Sequence, residues 1–208
     1  MTEFVPRDEP DAEIVGLDGT VYGVGGYVEI DEALKVRIPE EIADPDSFKA
    51  AMSQLAAGVV MVTTMVNGRP WGLTVSACCS VSVDPPLVLV SLNRRTQSWK
   101  AIRDARRFGI SILRLEQQPL AQLASAPGSP KFVDEFCVVD PTDVSRPPSI
   151  RGALYQLDCA VANTYEAGTH MLVVGRVRRA APGSDERGRP LIYFDRDFYG
   201  LGDELPRV

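Results

Sequence analysis

Histidine is almost absent from this sequence, because its 208 residues contain only one, His170. Four cysteines are present, and no two of them form a C-x-x-C pair: Cys78, Cys79, Cys137 and Cys159. These counts argue against a zinc site built from cysteine and histidine at the usual spacing, and no metal is expected. The simplest role for the thiols is that of small core residues in a reducing compartment. A catalytic Cys–His pair needs only one histidine, so this alternative stays open.

Positive charge, long apolar runs and phosphate-loop motifs are also scarce. The chain has 22 basic and 28 acidic residues, a net charge of −6, so we expect neither a nucleic-acid nor an anionic-membrane partner. No apolar run approaches the ~18 residues of a membrane span. The acidic start MTEFVPRDEPDAE lacks the apolar region of a signal peptide, so a cytoplasmic location is expected. No G-x-G-x-x-G and no G-x-x-x-x-G-K-[ST] motif is present.

The most distinctive run that is present is GLTVSACCSVSV, from Gly72 to Val83. A strand alternates its side chains between two faces, so this run predicts one continuous strand with two unlike faces. One face carries small hydroxyls and a thiol: Thr74, Ser76, Cys78, Ser80 and Ser82. The other carries mainly apolar side chains: Leu73, Val75, Ala77, Cys79, Val81 and Val83. The polar face is either ordinary solvent-exposed sheet or the bed of a flat, polar ligand.

Residues 1–43 differ from the rest, and we expect an appended arm or hairpin there, followed by a main domain at 44–208. The arm is acidic, with short apolar pieces around Asp18-Gly19 and Gly25-Gly26. Asp-Gly between apolar runs is typical of a hairpin turn. The sequence indicates no chemistry for this arm.

The main domain is predicted to consist mostly of strands joined by short turns. Helices are expected from Asp46 or Ser47, at 97–106 with Thr96 as its cap, and at 116–125 with Pro119 in the first turn. Asn67-Gly68 predicts a type I′ hairpin turn. Strands are expected at 59–66, 72–83, 87–93, 107–113, 153–164, 170–180 and 191–194, and an extended loop at 126–150. Because hairpins dominate, the pattern favours an antiparallel barrel or Greek-key sheet.

Three further segments are candidates for ligand binding. The stretch SLNRRTQS, 91–98, gathers hydroxyls, two guanidinium groups and free helical amides, which suit a phosphate; a capped helix with a solvated basic turn explains it equally well. Lys131-Phe132 offers a cation and an aromatic wall, or simply an exposed lysine beside a buried phenylalanine. His170 follows a glycine turn at a strand start, which suits a pocket rim, although a lone histidine there is more often structural or exposed.

Taken together, these segments resemble the flavin reductase family, the short FMN- or FAD-dependent NAD(P)H:flavin oxidoreductases. The resemblance covers roughly residues 47–200 and depends on the order and spacing of several motifs together. They are FKAAMSQLAAGVVMVTT, GLTVSACCSVSVDPPLVLVSLN, SWKAIRDARRFGISIL, the KF pair, AGTH-x-x-x-x-G-x-V and PLIYFDRDFYGL. The resemblance implies a mainly β (α+β) fold: an antiparallel split β-barrel of Greek-key type with two or three flanking helices.

The resemblance also implies a flavin site and a nicotinamide site. Residues bordering the isoalloxazine ring would be Pro70, Trp71, Gly72, Leu73, Thr74, Ser76 and Ala77. The ribityl and phosphate groups would be held by Ser91, Leu92, Asn93, Arg94, Arg95, Thr96, Gln97 and Ser98, with Ala124, Ser125 and Lys131 completing the phosphate side. The nicotinamide would lie near His170, Tyr193, Phe194, Asp195 and Arg196, with His170 as the catalytic residue.

The implied activity is reduction of FMN or FAD with NADH or NADPH as co-substrate, in a homodimer that supplies reduced flavin to a partner monooxygenase. Such chemistry needs no protein nucleophile, which suits a chain with one histidine. One alternative keeps the fold but holds flavin tightly, as an oxidase or monooxygenase acting directly on a small molecule. Another is a non-catalytic split-barrel protein that binds flavin, or haem with His170 as the axial ligand.

Overall fold

The computed structural model describes residues 13–15, 21–23, 42–128, 130–143, 145–183 and 188–202. The chain divides into two units, Met1–Asp44 and Pro45–Val208. In the first unit, strands β1 (Glu13–Val15) and β2 (Val21–Gly23) pair antiparallel. The turn expected at Asp18-Gly19 and the glycines at 25–26 lie outside the described residues.

The described part of the second unit contains three helices and a series of mostly short strands. The helices are α1 (Pro45–Ser53), α2 (Gln97–Ala105) and α3 (Gln118–Ser125). The strands are β3 (Ala57–Gly58), β4 (Val60–Val66), β5 (Arg69–Val75), β6 (Cys78–Ser82), β7 (Leu87–Asn93), β8 (Arg107–Ile112), β9 (Cys137–Val138), β10 (Ser149–Ile150), β11 (Tyr155–Ala167), β12 (His170–Pro182), β13 (Leu191–Phe194) and β14 (Asp197–Gly200).

Seven strands form one antiparallel sheet that closes on itself, in the order β5-β4-β8-β11-β12-β7-β6. Its two edge strands, β5 and β6, are consecutive in the chain and are joined by only Ser76 and Ala77. The sheet therefore curls until its edges meet, as in a barrel. At this point the Ser91 amide of β7 donates to the Ala77 carbonyl at 3.0 Å. The mainly β, antiparallel barrel with flanking helices expected from the sequence is confirmed.

A smaller sheet, β14-β13-β3, attaches to the barrel through two backbone hydrogen bonds of Leu191, next to a third bond that joins the adjoining ends of β4 and β8. The Val59 amide donates to the Leu191 carbonyl at 2.9 Å, the Leu191 amide to Leu113 at 3.0 Å, and the Leu113 amide to Val59 at 3.0 Å. These bonds fix β13 beside the ends of β4 and β8. The hairpin between β13 and β14 is thereby held at a defined place on the outside of the barrel.

The side chains of β4 and of the residue before it point alternately to two separate hydrophobic clusters. Val60 and Val62 point into the barrel, whereas Val59 and Met61 point outward to a second cluster that contains α3. The largest fully buried side chains of the barrel interior are Leu92, Ile102, Phe108 and Ile110. The outer cluster includes Leu113, Leu120, Ala121, Ala124, Val133 and Leu191. Helix α3 is thus packed against the outer face of β5, where the flavin ring was expected to lie.

The expectation of one continuous strand from Gly72 to Val83 is wrong. The chain breaks at Ser76 and Ala77, and the break reverses the alternation: Leu73 and Val75 belong to the barrel interior before it, and Cys78 after it. The physical cause is closure, because the chain must pass from one edge of the sheet to the other. Val81 and Val83, expected on a buried apolar face, are 51% and 92% exposed.

The sequence suggested that all four cysteines are core residues, but only two of them are fully buried. Cys137 and Cys159 are buried, Cys78 is half-buried, and Cys79 is exposed. Burial raises the pKa of Cys78 to about 11, with a smaller contribution from Cys79. Burial likewise raises the pKa of Cys137 and of Cys159 to about 12. These three thiols are therefore protonated at neutral pH, which argues against them as nucleophiles.

The helix signals of the sequence are largely confirmed. Thr96 caps α2 by accepting the Trp99 amide at 3.2 Å, Pro119 lies in the first turn of α3, and Asn67 and Gly68 have the positive φ of a type I′ turn. The loop predicted at 126–150 is more structured than expected. It contains a 3-10 turn at Asp134–Phe136 and the β9–β10 pair.

Candidate active site

A cavity of about 360 Å³ lies where the outer face of β5 meets the β13–β14 hairpin. Its lining residues are Val59, Thr74, Ser76, Ser125, Tyr193, Arg196 and Phe198. The volume falls within the range of ligand pockets. The cavity joins three residues predicted to touch flavin, Thr74, Ser76 and Ser125, to Tyr193 and Arg196, predicted near the nicotinamide. Sequence reasoning missed Val59 and Phe198 as lining residues, although Phe198 lies in a quoted motif.

A larger cavity, of about 480 Å³, opens at one end of the barrel interior. Its wall is formed by aliphatic side chains, two thiols and two serines, and includes no charged side chain: Gly58, Val60, Cys78, Cys79, Ser80, Ser82, Val83, Pro86, Leu87, Val88, Ile110, Ile112, Leu157 and Val177. A nucleotide carries several negative charges and needs cationic or N–H donors. The smaller cavity is therefore the better nucleotide site.

Two aromatic rings form one wall of the smaller cavity. Tyr193 on β13 and Phe198 on β14 pack edge to face, with ring centroids 5.4 Å apart and an interplanar angle of 62°. The pair follows from the hairpin register, in which Tyr193 lies opposite Phe198. Edge-to-face packing restrains both rings and gives the cavity a flat, apolar side.

Arg196 enters the cavity from a strained turn. Asp195 and Arg196 form the two-residue connection between β13 and β14, with φ of 46° and 66°. Positive φ at both central positions is typical of a type I′ turn, which normally contains glycine or asparagine. Within the described residues no carboxylate pairs with Arg196, so its guanidinium is available to an anionic ligand.

Helix α3 contributes Ser125 to the cavity, and hydrogen bonds hold α3 and the loop that follows it against β5. The Thr74 hydroxyl donates to the Ala121 carbonyl of α3 at 2.7 Å, and the Gly72 amide donates to the Lys131 carbonyl at 2.9 Å. Lys131 Nζ donates to the Ala124 carbonyl at 2.5 Å. Partial burial lowers the pKa of Lys131. The structure thus brings Ala124, Ser125 and Lys131 to β5, and the Ala124 side chain itself is fully buried.

A hydrogen bond from Trp71 joins β5 to the predicted phosphate side of the flavin site, residues 91–98. Its indole Nε1 donates to Ser98 Oγ at 3.0 Å, and Ser98 is 1% exposed in the first turn of α2. On its other side the Trp71 ring packs edge to face on Phe132, with centroids 5.0 Å apart. Arg69 stacks on Phe132 with its Cζ 4.0 Å from the ring centroid and binds Asp134 through two nitrogens. Pro70 is buried, and its carbonyl accepts the Val133 amide at 3.1 Å.

The basic turn before α2 is closed by local hydrogen bonds, and its two arginines are exposed. Asn93 Oδ1 accepts the Arg95 amide at 2.9 Å, and the Thr96 hydroxyl donates to the Asn93 carbonyl at 2.8 Å. Arg94 pairs with Glu166, whereas Arg95 has no carboxylate partner among the described residues. Leu92, included in the predicted site, points its side chain into the barrel interior and offers only its backbone. Gln97 is exposed at the start of α2.

His170 lies beside this turn rather than in the wall of the cavity. In the pairing of β12 with β7, His170 is opposite Asn93. Its Nδ1 is 2.9 Å from the Thr169 hydroxyl, and the Thr169 carbonyl accepts the Arg94 amide at 3.1 Å. Of the five residues predicted near the nicotinamide, Tyr193 and Arg196 therefore line the cavity, Phe194 and Asp195 belong to the same hairpin, and His170 belongs to the phosphate-side turn.

The residues present fit a bound flavin. The cavity combines hydroxyls, two aromatic rings and the Arg196 guanidinium, which has no carboxylate partner among the described residues, and Arg94 and Arg95 precede the N-terminus of α2. Such groups recognise the phosphate and the polar ring edge of a flavin nucleotide. In the part of the chain that the structure describes, no three His, Cys, Asp or Glu side chains form a metal-binding group. No helix among those residues is long and apolar enough to span a membrane.

The fold and the cavity define a split-barrel protein with a candidate nucleotide site on the outer face of one edge strand. Comparison with known families gives a more specific result, since residues 52–202 match the flavin reductase like domain. The chain belongs to this family. The split-barrel fold and the family predicted from the sequence motifs are thereby confirmed.

Individual relatives agree with this assignment. The chain is 35% identical over 165 residues to the reductase component of 4-nitrophenol 4-monooxygenase/4-nitrocatechol 2-monooxygenase from Rhodococcus opacus, covering 79% of this chain and 85% of that protein. It is 36% identical to an NADH:riboflavin 5'-phosphate oxidoreductase of Streptomyces pristinaespiralis, and the match covers 74% of this chain and 87% of that protein. A solved structure, the flavin reductase component of a bacterial two-component tryptophan halogenase, is 31% identical with a TM-score of 0.69. The match covers 77% of this chain and 100% of that one.

Proposed function

We propose that this chain reduces FMN or FAD with NADH or NADPH and supplies the reduced flavin to a partner monooxygenase. The observation that carries the proposal is the cavity that joins Thr74, Ser76 and Ser125 to Tyr193 and Arg196 in a member of the flavin reductase family. Relatives named as an NADH oxidoreductase of riboflavin 5'-phosphate and as a monooxygenase reductase component support the same activity.

The flavin, when bound, supplies the hydride acceptor, and the chain positions and shields the reactants. Ser76, at the break between β5 and β6, is exposed to the cavity and offers a small polar surface. Tyr193 and Phe198 restrict the position of a flat ring, and Arg196 binds the anionic part of the nicotinamide dinucleotide. Arg95 and the amides at the start of α2 hold the flavin phosphate, with Lys131 on the other side.

His170 has a supporting role in this proposal. Because it lies opposite Asn93 and beside Thr169, it approaches the reactants from the phosphate-side turn. An imidazole there donates a hydrogen bond that orients the nicotinamide, without forming a covalent intermediate. We propose His170 as the catalytic residue, and its replacement tests that role.

We further propose that the protein is a homodimer. Helix α1 has no buried residue, and its apolar side chains Phe48 and Met52 are 59% and 45% exposed. Leu55, just after the helix, is 61% exposed. Three large apolar side chains at helical spacing form a patch that a second copy would cover. We also propose that residues 1–43 are an appended arm and that the protein is cytoplasmic.

The activity is tested by spectra and by NADH consumption. The purified full-length protein should be nearly colourless, and NADH absorbance at 340 nm should fall when FMN or FAD is added. A yellow protein that consumes NADH without added flavin would favour the tightly bound oxidase or monooxygenase. A Soret band would favour the haem-binding alternative, and an absence of consumption with both flavins and both nicotinamides would contradict the proposed function.

A further inference from the structure

We infer that Gln54, just beyond the end of helix α1, is a positioning residue for Arg196. This inference rests on the proposed function, in which Arg196 binds the anionic part of the nicotinamide dinucleotide. It concerns a contact outside the cavity, made by a residue that lies in one of the quoted motifs but was given no role there.

Two hydrogen bonds attach the end of α1 to the turn that carries Arg196. The Asp195 amide donates to the Ser53 carbonyl at 2.7 Å, and Gln54 Nε2 donates to Asp195 Oδ1 at 3.1 Å. The segment is itself held at the helix end, since the Gln54 amide donates to the Ala51 carbonyl at 3.1 Å. Asp195 is therefore hydrogen-bonded through its backbone to Ser53 and through its side chain to Gln54.

The turn needs such support because of its backbone conformation. Asp195 and Arg196 have φ of 46° and 66°, which non-glycine residues adopt at an energetic cost. A residue in this region persists only when its surroundings hold it there. Without the bonds from α1, the turn relaxes toward other conformations and the Arg196 side chain leaves the cavity for part of the time.

The pairing of β3 with β13 brings the two segments together. Ala57 lies opposite Tyr193 and Gly58 opposite Ile192, so the chain between α1 and β4 runs beside the hairpin. Gln54 precedes this pairing by three residues and reaches the turn directly. Its side chain is exposed, so it contributes little to the core, and changing it perturbs the turn rather than the fold.

The test uses the full-length protein and four variants. Gln54→Glu is nearly isosteric but places a carboxylate against Asp195, whereas Gln54→Lys restores a donor. Arg196→Ala removes the positioned group, and Lys49→Ala, on the exposed surface of the same helix, is the matched control. We expect Gln54→Glu to raise the KM for NADH about fivefold with kcat nearly unchanged. Gln54→Lys, which keeps a donor to Asp195, should have a KM close to that of the wild type.

A double-mutant cycle separates positioning from a general structural effect. If Gln54 acts through Arg196, Gln54→Glu has no further effect on KM in an Arg196→Ala background. Equal effects of Gln54→Glu in both backgrounds would overturn the inference, as would a change of the same size in Lys49→Ala.

A readout without catalysis distinguishes failure of this inference from failure of the proposed function. Hydrogen exchange of the Asp195 amide should be faster in Gln54→Glu than in the wild type and Gln54→Lys, because its bond to Ser53 is weakened. Exchange that is unchanged in Gln54→Glu would overturn the inference even if the enzyme is active. If the wild type consumes no NADH with either flavin, the proposed function fails, and the exchange rates alone decide whether Gln54 holds the turn.

Discussion

The indole Nε1 of Trp71 donates a hydrogen bond to Ser98 Oγ at 3.0 Å, which joins edge strand β5 to the first turn of helix α2. These two elements carry the two halves of the candidate flavin site, the ring side at 70–77 and the phosphate side at 91–98. The bond therefore links the two halves of the site directly. A change at Ser98 reaches the site through this bond, because the serine itself is buried.

Replacing Ser98 with alanine is expected to weaken both folding and flavin binding. The Trp71 indole loses its acceptor in a half-buried position, which costs about 1–2 kcal/mol of unfolding free energy. Denaturant unfolding followed by tryptophan fluorescence measures the loss, and FMN titration measures the binding. Ser82→Ala, which removes a hydroxyl that donates to the Asp84 carbonyl at 3.1 Å on the exposed surface, is the control and should change stability little. An unchanged unfolding free energy for Ser98→Ala would show that the bond is unimportant.

FMN binding should weaken at alkaline pH through Lys131. Partial burial lowers its pKa below the usual 10.5, so the free protein loses this charge at lower pH than an exposed lysine does. The charged form binds phosphate, so FMN affinity falls as pH rises through the lowered pKa. Riboflavin, which has no phosphate, should lack this dependence, and so should FMN with the Lys131→Met variant. Parallel pH profiles for FMN and riboflavin in the wild type would contradict the assignment of Lys131 to the phosphate.

A charge on the exposed apolar patch of α1 should weaken the proposed homodimer. Met52→Glu introduces a carboxylate that must be desolvated on association, and we expect the dimer dissociation constant to rise about tenfold or more. Since Met52 is 45% exposed and α1 has no buried residue, the monomer should fold as before. Sedimentation over a range of concentrations measures the association, with Lys49→Ala as the control. A wild type that is monomeric at all concentrations would rule out the dimer.

His170→Ala should slow hydride transfer more than it weakens flavin binding. The imidazole lies beside Asn93 and Thr169 and forms no part of the cavity wall, and we propose that it orients the reductant from there. We expect a loss of about tenfold in the reduction rate, equivalent to about 1.4 kcal/mol, with the FMN dissociation constant changed much less. Stopped-flow kinetics measures the reduction rate, and fluorescence titration measures the FMN dissociation constant. Equal losses in both, or no loss in either, would remove His170 from the catalytic step.

Much of this architecture could be predicted from the sequence because its signals are local. The Asn67-Gly68 turn, the Thr96 cap and the Pro119 helix start follow from the backbone preferences of single residues, and all three are confirmed. The hairpin-rich pattern likewise predicted an antiparallel barrel. The family motifs placed Thr74, Ser76, Ser125, Tyr193 and Arg196 in one site, and the structure brings these five together.

The remaining features depend on how distant segments meet. Alternation along 72–83 predicted one strand, and no local signal showed that barrel closure at Ser76-Ala77 would reverse its faces. The bond from Gln54 to Asp195 joins residues 141 positions apart, so its existence depends on the β3–β13 pairing. The role of His170 near the nicotinamide stays a prediction, but its place opposite Asn93 depends on the register of β12 with β7, which no local signal gives.

The central claim is that the cavity beside Ser76 is where flavin and nicotinamide meet, and filling it tests this most directly. Ser76→Trp places a large ring in the cavity at an exposed position, so the fold should survive, as circular dichroism would verify. NADH consumption at 340 nm with added FMN or FAD is measured for the wild type, for Ser76→Trp and for the control Ser80→Trp at the other cavity. The account predicts flavin-dependent consumption by the wild type and Ser80→Trp, and its loss in folded Ser76→Trp. Full activity in Ser76→Trp would contradict it.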